Sequence, residues 1–377
     1  MTNKISKIQP NKKLSDLNIV FLSFRDVSIE SAGAKRTFFQ AKFLNKFEDV
    51  SYVVPKKSHQ KNIGNINSHF GVYNSFSQLK KLRNKFKKNI LIIDTIIELK
   101  HFPFVVFAKY FGYKIVFDKV ENFKYFEDKK TLSNWLNINF GLFLENWLNY
   151  FADGLLVIST QLYQIYKNKN LPIIIMPNSI YIDNVNLTSK TRFNKPVKIL
   201  YSGSFGLKDG VDLLLKAFFR LVENYKDEVQ LHLVGRGTPK NELLIKKQIK
   251  GNKHIIWHGF VSNKELDSIQ LNSDILAMTR IDSKFAQYGF PYKITEYLKT
   301  GNTIIATKIG DIDVFLKDKV SAILTEPNID SIYKSLDFCM NNEKKAISIG
   351  KKGQTISLKQ FDITTNGKKL LKFLHSI

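Results

Sequence analysis

The segment Val197-Lys198-Ile199-Leu200-Tyr201-Ser202-Gly203-Ser204-Phe205-Gly206-Leu207-Lys208-Asp209-Gly210 decides the fold class. It begins as a short β-rich apolar run, Val197–Ser202. Gly203, Gly206 and Gly210 then mark a turn. From Gly210 to Tyr225 a helical period puts Leu213, Leu214, Ala217, Phe218 and Leu221 on one face. Strand, glycine turn and amphipathic helix make the unit of α/β folds. Short apolar runs of the same kind recur at Asn18–Phe24, Ser51–Val54, Ile90–Asp94, Lys114–Asp118, Gly154–Ser159 and Ile173–Met176. They continue at Gln230–Val234, His254–Trp257, Ile275–Met278, Thr303–Ala306 and Ala322–Leu324. Continuous rather than alternating hydrophobicity suits strands buried on both faces, hence parallel sheets covered by helices.

The chain has 377 residues, which suits two or three domains. The polar, aperiodic stretch Asp183–Pro196 reads as a linker between two α/β halves. The expected division is 1–185 as one doubly wound domain, 186–196 as linker, 197–355 as the second, and 356–377 as a terminal helix. In such sheets ligands bind outside the carboxyl ends of the strands.

Hydrophobic residues at 44% and charged residues at 24% give an ordinary globular balance. The single Cys339 excludes an intramolecular disulfide framework and a multi-Cys zinc site, and no structural metal is expected. Lys+Arg 58 against Asp+Glu 33 gives +25. Such a field attracts polyanions: nucleic acid, anionic lipid headgroups or small diphosphates. An AT-rich genome accounts equally well for plentiful Lys and Asn. The N-terminus is polar and lacks a signal-peptide core. The longest apolar stretch, Phe102–Phe117, contains Lys109, Gly112 and Lys114 and is shorter than the ~20 residues that span a bilayer. The expectation is a cytoplasmic protein, soluble or bound to a membrane surface from one side. Gln78–Asn89 reads as a basic amphipathic helix, with Leu79, Leu82 and Phe86 along one stripe, suited to an anionic surface or to packing on the first sheet. Trp135–Phe151 reads as core, because it leads into a buried strand.

The sharpest local signal is Gly289-Phe290-Pro291-Tyr292-Lys293-Ile294-Thr295-Glu296-Tyr297-Leu298-Lys299-Thr300-Gly301. Pro291 marks a helix start and Gly301 its stop. The first turn lacks Asp and holds Lys293, which makes the helix N-terminus an anion site. Glu296, one turn further in, suits hydrogen bonds from a ribose diol; a plain surface helix is the alternative. In the turn after the Val197 strand, Ser202, Ser204 and Lys208 offer donors to phosphate, and Gly203 permits close backbone approach. Gly235-Arg236-Gly237-Thr238 forms a third turn of this type. The Tyr201–Gly210 turn is neither a Walker A loop nor a G-x-G-x-x-G fingerprint.

The order of these motifs resembles a retaining glycosyltransferase of family 4 (glycosyl transferases group 1) with the GT-B fold, over nearly the whole chain. Ser31-Ala32-Gly33-Ala34-Lys35-Arg36 is similar to the family's glycine-containing loop after the first strand. Ala152–Ser159 and Met176-Pro177-Asn178-Ser179 resemble its A-D-x-x-x-x-x-S and P-N-G stretches. Tyr201–Asp212 resembles the G-x-x-x-x-x-K-G-x-D loop. Leu233–Gly237, His258-Gly259-Phe260-Val261 and Pro291–Gly301 follow in the family's order. The chain departs from the pattern at four places. Tyr288 stands where a first Glu often precedes Glu296, Ser204 replaces the loop Arg, and Asp209 replaces the loop Lys beside Lys208. No His follows the Lys114–Asp118 strand.

The resemblance implies two Rossmann-like domains facing across a cleft, with a terminal helix crossing back to the first. It implies transfer of a sugar from a UDP- or GDP-linked donor, without metal or other cofactor, to a glycan or polyprenyl-diphosphate-linked acceptor. The setting is bacterial-type surface polysaccharide synthesis, on the inner face of a membrane. Charge on the leaving diphosphate would meet Lys208, Lys293 and backbone N–H groups of Gly203–Phe205 and Gly289–Tyr292. Asp118 or Glu121 would orient or deprotonate the acceptor, unless each is only a strand-end acid. Gly33, Ser202, Ser204, Gly235, Arg236, Gly259, Phe260, Tyr288, Phe290 and Pro291 would line the donor site. A non-catalytic subunit of the same fold and a basic nucleic-acid-binding protein remain alternatives, although no nucleic-acid-binding signature is present.

Overall fold

The computed structural model describes residues 15–23, 31–54, 65–71, 74–94, 102–125, 132–182 and 190–377. The N-terminal stretch through residue 14, Phe24 of the expected first strand, and 183–189 of the expected linker lie outside them.

The first half contains β1 (Leu17–Leu22), α1 (Ala32–Leu44), β2 (Asp49–Val54), β3 (Asn67–Phe70), α2 (Ser75–Leu82), β4 (Lys88–Asp94) and α3 (Phe102–Tyr110). It continues with β5 (Lys114–Lys119), α4 (Leu132–Leu148), β6 (Gly154–Val157), α5 (Thr160–Tyr166) and β7 (Ile173–Ile175). Its seven strands run in the order β3-β2-β1-β4-β5-β6-β7. The second half contains β8 (Val197–Ser204), α6 (Val211–Tyr225), β9 (Val229–Arg236), α7 (Pro239–Ile249), β10 (Ile255–Gly259), α8 (Asn263–Asn272), β11 (Ile275–Met278) and α9 (Lys284–Tyr288). After these come α10 (Tyr292–Thr300), β12 (Thr303–Thr307), α11 (Ile312–Phe315), β13 (Ile323–Thr325), α12 (Ile329–Asn341), α13 (Glu343–Gln360) and α14 (Ile363–Ser376). Its six strands run in the order β10-β9-β8-β11-β12-β13. In both sheets the order reverses beside the first strand, the mark of a doubly wound topology. The pairs β1–β2, β1–β4, β8–β9 and β8–β11 are parallel.

Apolar burial explains the strands. Every residue of β1 and β11 is buried, as are Ile90 to Asp94 of β4. In the second sheet, Ile199, Leu231, Leu233 and Ile275 pack with Leu214, Phe218 and Leu221 of α6 and with Ile332 and Leu336 of α12. Each fully buried Leu or Ile of this layer contributes about 1.5–3 kcal/mol against exposure.

Close packing divides the chain into two compact units: Met1–Phe117 with Leu144–Gly154 and Leu371–Ile377, and Asp118–Phe143 with Leu155–Leu370. In the first unit, Lys88 Nζ donates to the carbonyls of Leu374 (3.3 Å) and His375 (2.8 Å), and His375 Nε2 lies 3.0 Å from Glu48 Oε1. In the second, buried Asp274 accepts from Lys190 Nζ (2.9 Å), Asn194 N (3.0 Å) and Lys198 N (2.8 Å), which pins the chain leading into β8.

Four expectations about elements are corrected. Residues 356–377 are not one helix. They are the end of α13, a turn at Phe361-Asp362 held by Ile180, whose N–H donates to Phe361 O (2.9 Å), and α14. Gln78–Asn89 is not a helix either. α2 stops at Leu82, whose carbonyl accepts from Asn18 Nδ2 (2.8 Å). Asn89 then clamps the next turn, accepting from Asn84 N (2.8 Å) and donating to Asn84 O (2.7 Å), so Lys88 and Asn89 open β4. Lys87 is paired with Asp49. Of Trp135–Phe151, the side chains from Asn139 onward are described, and they are core along one edge only. Leu144 and Leu148 are buried, whereas Phe140, Phe143, Trp147 and Tyr150 are exposed. Finally, Gly33 does not lie in a loop. Ser31 Oγ accepts from Ala34 N (3.2 Å) as an N-cap, so the helix has begun before Gly33.

Candidate functional site

The carboxyl ends of β8, β9 and β10 lie side by side. Gly203 pairs with Gly235 and Ser204 with Arg236, while Gly259 pairs with Val234 after a bulge. Two glycines permit this crossing. Gly203 has φ 143 and Gly235 φ 134, and a Cβ on Gly235 would stand 1.8 Å from Gly203 O. A Cβ on Gly203 would stand 2.6 Å from Lys293 Nζ. The glycine therefore lets an ammonium from another element come up against the strand end.

That element is α10. Pro291 is its N-cap, its first turn holds no acidic residue, and no side chain caps it. Gly301 ends it at φ 72, as the sequence predicts. Tyr297 fixes the helix to β8: its hydroxyl accepts from Ser202 N (2.8 Å) and Ser202 Oγ (3.1 Å). The approach to α10 is held in turn by Asn178 Nδ2, which donates to Phe290 O (2.9 Å), and by Ser159 Oγ, which donates to Tyr288 O (2.6 Å).

Lys293 projects from this helix into a small polar cluster. Its Nζ donates to Tyr201 Oη (2.9 Å) and lies 4.0 Å from the centre of that ring. Tyr201 Oη in turn donates to Ser204 O (2.5 Å). Asp209 Oδ1 is 3.8 Å from Lys293 Nζ and 4.0 Å from Arg280 Nε, and Asp209 Oδ2 accepts from Ser204 Oγ. Burial brings Lys293 down to about 8; Asp209 favours its charge, while Arg280 and Lys208 oppose it. Burial alone would raise Asp209. The ammonium of Lys293, the guanidinium of Arg280 and the Ser204 hydrogen bond outweigh it and hold the carboxyl below its ordinary range. The cluster therefore carries net positive charge at neutral pH in a largely dry setting, which favours a multiply charged anion.

The expected residues distribute as follows. Gly203, Ser204, Lys208 and Lys293 converge at the end of β8. Glu296 follows one turn along α10, partly exposed. Arg236 stacks over the exposed ring of Phe260 (4.5 Å) at the ends of β9 and β10. Lys208 Nζ pairs with Glu121 Oε1 (3.2 Å) and lies over the Phe285 ring (4.5 Å). Tyr288 stacks on Tyr125, with centroids 5.4 Å apart and planes 4° apart. Gly289, Phe290 and Pro291 form the bend into α10, with Phe290 packed on Phe361 (5.4 Å).

Others do not meet this point as donors. Ser202 Oγ is committed to Tyr297 and Gln270 inside the core. The amide of Phe205 donates to Arg236 O (3.0 Å), so it extends the sheet instead of pointing at an anion. Tyr292 is buried packing, and burial pushes its phenol far up. Asp118 has no exposed surface, so it offers no face to an acceptor.

Sequence reasoning passed over Arg280, Tyr201 and Asp209 as partners of Lys293, and Asn178 as the hydrogen-bonding anchor of the α10 approach. Arg280 follows β11 by two residues, the strand-end position that marks ligand residues in such sheets. It also passed over His254 and His258, spaced four apart. They fall at and along β10, where strand geometry separates them, and His258 Nε2 instead meets His232 Nδ1 at 3.0 Å. Among the described residues no group of three His, Cys, Asp or Glu is arranged to hold a metal ion, and no helix is long and apolar enough to cross a membrane.

Residues 185–356 match the family model described as Glycosyl transferases group 1. Comparison with curated protein sequences finds no significant match. Among solved structures, HepE of Anabaena in complex with UDP-glucose is similar at a TM-score of 0.75 and 14% identity, covering 95% of this chain and 100% of that one. A glycosyltransferase from Rickettsia africae gives 0.72 at 15% identity, covering 96% and 98%. A UDP-forming α,α-trehalose-phosphate synthase from Burkholderia xenovorans gives 0.71 at 12% identity, covering 95% and 100%. The chain thus has the GT-B fold, and its second half carries the sequence pattern of glycosyl transferases group 1.

Proposed function

We propose that this chain is a retaining, metal-independent glycosyltransferase that moves a sugar from a nucleotide-diphosphate donor to a glycan or polyprenyl-diphosphate-linked acceptor. The observation that carries the reading is the buried ammonium of Lys293, drawn against Gly203 at the end of β8 beside the uncapped start of α10. A buried cation costs stability, and one kept beside a glycine turn at strand ends is suited to a phosphate. The family match of 185–356 and the UDP-glucose held by the HepE structure support a nucleotide-sugar donor, UDP- or GDP-linked.

In this reading the C1–O bond to the diphosphate breaks while the acceptor oxygen attacks from the same face. Negative charge grows on the leaving diphosphate, and Lys293, Lys208 and the first amides of α10 stabilise it. Preorganised donors of this kind each contribute about 3 kcal/mol to a transition state. Because side chains and a helix end supply that charge, no metal is assigned a role. Glu296 accepts from the ribose diol, and Arg236 with Phe260 lines the base side. Of the two candidate acids, Glu121 is preferred over Asp118 to orient the acceptor hydroxyl and take its proton as the new C1–O bond forms, because only Glu121 retains solvent access.

Residues 1–185 are assigned to acceptor binding and 197–355 to the donor. Surface polysaccharide synthesis at the inner face of a membrane suits a polyprenyl-linked acceptor. Exposed Phe86 beside Lys85 supports seating on an anionic surface. A non-catalytic subunit of the same fold is the second reading, favoured by Tyr288, whose backbone and ring are both engaged where the family often has Glu.

The test is a thermal-shift screen of UDP- and GDP-sugars, followed by product analysis with a membrane extract in EDTA. Binding and a transferred sugar are expected. Binding without transfer or hydrolysis of any donor favours the second reading. Strict dependence on added Mg²⁺ or Mn²⁺ refutes metal independence.

A further inference from the structure

The loop that leaves β8 holds Ser204 and Asp209, and these two are hydrogen-bonded to each other. Apart from Lys208, which is paired with Glu121, the positive charge at this loop comes from other elements. Lys293 arrives from α10 and Arg280 from the end of β11. Asp209 lies between them, with Oδ1 at 3.8 Å from Lys293 Nζ and 4.0 Å from Arg280 Nε. Both separations exceed a hydrogen bond, and the other carboxylate oxygen is taken by Ser204. Asp209 therefore holds two cations in place by charge without taking a hydrogen bond from either through Oδ1; Lys293 Nζ donates instead to Tyr201 Oη. Arg280 Nε is buried and has no hydrogen-bond partner among the described residues. A buried guanidinium N–H in that state calls for an acceptor from outside. The guanidinium also reaches the bend before α10, since a Cβ built on Gly289 would stand 3.7 Å from Arg280 Nη1.

From this geometry we infer that Arg280 is a second anion-binding side chain for the diphosphate of the nucleotide sugar, and that Asp209 is the positioning residue that sets the spacing of Arg280 and Lys293. The inference rests on the donor-site reading above. Arg suits the task because its planar fork presents parallel donors to phosphate oxygens and stays charged at any working pH. Two cations then face a nucleoside diphosphate, and the carboxylate between them keeps them from repelling each other out of register when the site is empty.

Calorimetric titration of the full chain tests this, with UDP and GDP, the matching monophosphates and nucleosides, and inorganic pyrophosphate as probes. Arg280→Gln should weaken the preferred nucleoside diphosphate and pyrophosphate at least tenfold and leave the nucleoside within twofold. Arg280→Lys should recover part of the loss. Asp209→Asn should weaken the diphosphate more at pH 8.5 than at pH 6.5, because Lys293 then loses the charge that favours its protonated form. A diphosphate affinity within twofold of wild type in Arg280→Gln overturns the inference and leaves the donor site standing. Equal loss for nucleoside and diphosphate, without rescue by Lys, also overturns it by making Arg280 structural. Absence of diphosphate binding by the wild-type chain overturns both the inference and the reading beneath it.

Discussion

Replacing Lys293 by Met separates function from stability, because the two should move in opposite directions. The ammonium is buried, and burial brings it from 10.5 to about 8. At pH 7 it is charged, so the folded chain bears a net cost of about 3 kcal/mol, burial and neighbouring charges together, that the unfolded chain does not. Methionine of similar length removes that cost. The pull of Asp209 is already inside that figure; methionine also gives up the hydrogen bond to Tyr201 Oη, which takes back about 1–2 kcal/mol. The net expectation is a gain of about 1–2 kcal/mol, where truncating a buried residue normally loses stability. The sign with pH is fixed. Between about 8 and 10.5 the unfolded chain holds this proton and the folded chain does not, so wild-type stability rises with pH relative to Lys293→Met and the gap closes. Binding should go the other way. Losing a charge-assisted hydrogen bond to phosphate costs about 1.5–3 kcal/mol, or roughly 10- to 150-fold in Kd for a nucleoside diphosphate. Wild-type affinity should also fall about tenfold from pH 7 to pH 9 as Lys293 loses its proton, and Lys293→Arg should flatten that profile. Denaturant melts and calorimetry at four pH values decide the matter. Unchanged Kd together with a stability loss above about 2 kcal/mol would make Lys293 a structural residue and remove the main support of the proposed function.

Among the described residues, the alternation of short apolar runs with amphipathic stretches placed twelve of the thirteen strands, because parallel strands covered on both faces need unbroken hydrophobicity and little else supplies it. The exception is β3. Among the described residues, its Asn67, Ser68, His69 and Phe70 pair on one side only, with β2, at the sheet edge. An edge strand half open to water needs no apolar run, so nothing in composition marks it. The helix break after Leu82 was hidden for another reason: the clamp between Asn18, Asn84 and Asn89 joins residues up to 71 apart. The glycines and Pro291 of the site were legible because backbone geometry demands those residue types locally. Arg280 and Asp209 were not, since each acquires meaning only from a side chain on another element. The exposed aromatics of α4 were misread because leading into a buried strand constrains Leu144 and Leu148, one stripe of the helix, and leaves the opposite stripe undetermined.

Gly235→Ala should destabilise the second unit by about 3–4 kcal/mol, because its Cβ would meet Gly203 O at 1.8 Å and its φ is 134; a melt within about 1 kcal/mol of wild type would show that the strand ends yield easily. The His232–His258 contact needs a lone pair on one ring, and burial together with His258 brings His232 down to about 4. Stability should therefore fall as pH drops from about 6.5 toward 4, since the unfolded chain takes up the proton first. Allowing for a half-exposed ring, the effect is about 1–2 kcal/mol, and His232→Phe should remove that part of the pH dependence of the melt. Glu296→Ala should leave the melt near wild type and weaken nucleotide binding by about 1.5–3 kcal/mol if the carboxylate accepts from ribose, while the 2′,3′-dideoxynucleotide should bind both forms equally; equal loss for both ligands would place Glu296 elsewhere. Vesicle binding, last, now has a sharper address than the whole 78–89 segment. Lys87 and Lys88 are engaged with Asp49 and with the carbonyls of α14, so they are poor candidates for lipid contact. Lys80, Lys81 and Lys85 are exposed, and Phe86 is 98% exposed on the turn between α2 and β4. Each Lys near an anionic surface contributes about 1 kcal/mol at low salt, so Lys80→Gln, Lys81→Gln and Lys85→Gln together should weaken co-sedimentation with anionic vesicles about 100-fold. Phe86→Ser should weaken it at high salt as well, because burying a ring in the interface is not screened. Neither variant should alter nucleotide affinity, since the Lys293 cluster belongs to the other compact unit. Binding to neutral and anionic vesicles that is equal across wild type and both variants would reduce this turn to a solvated surface.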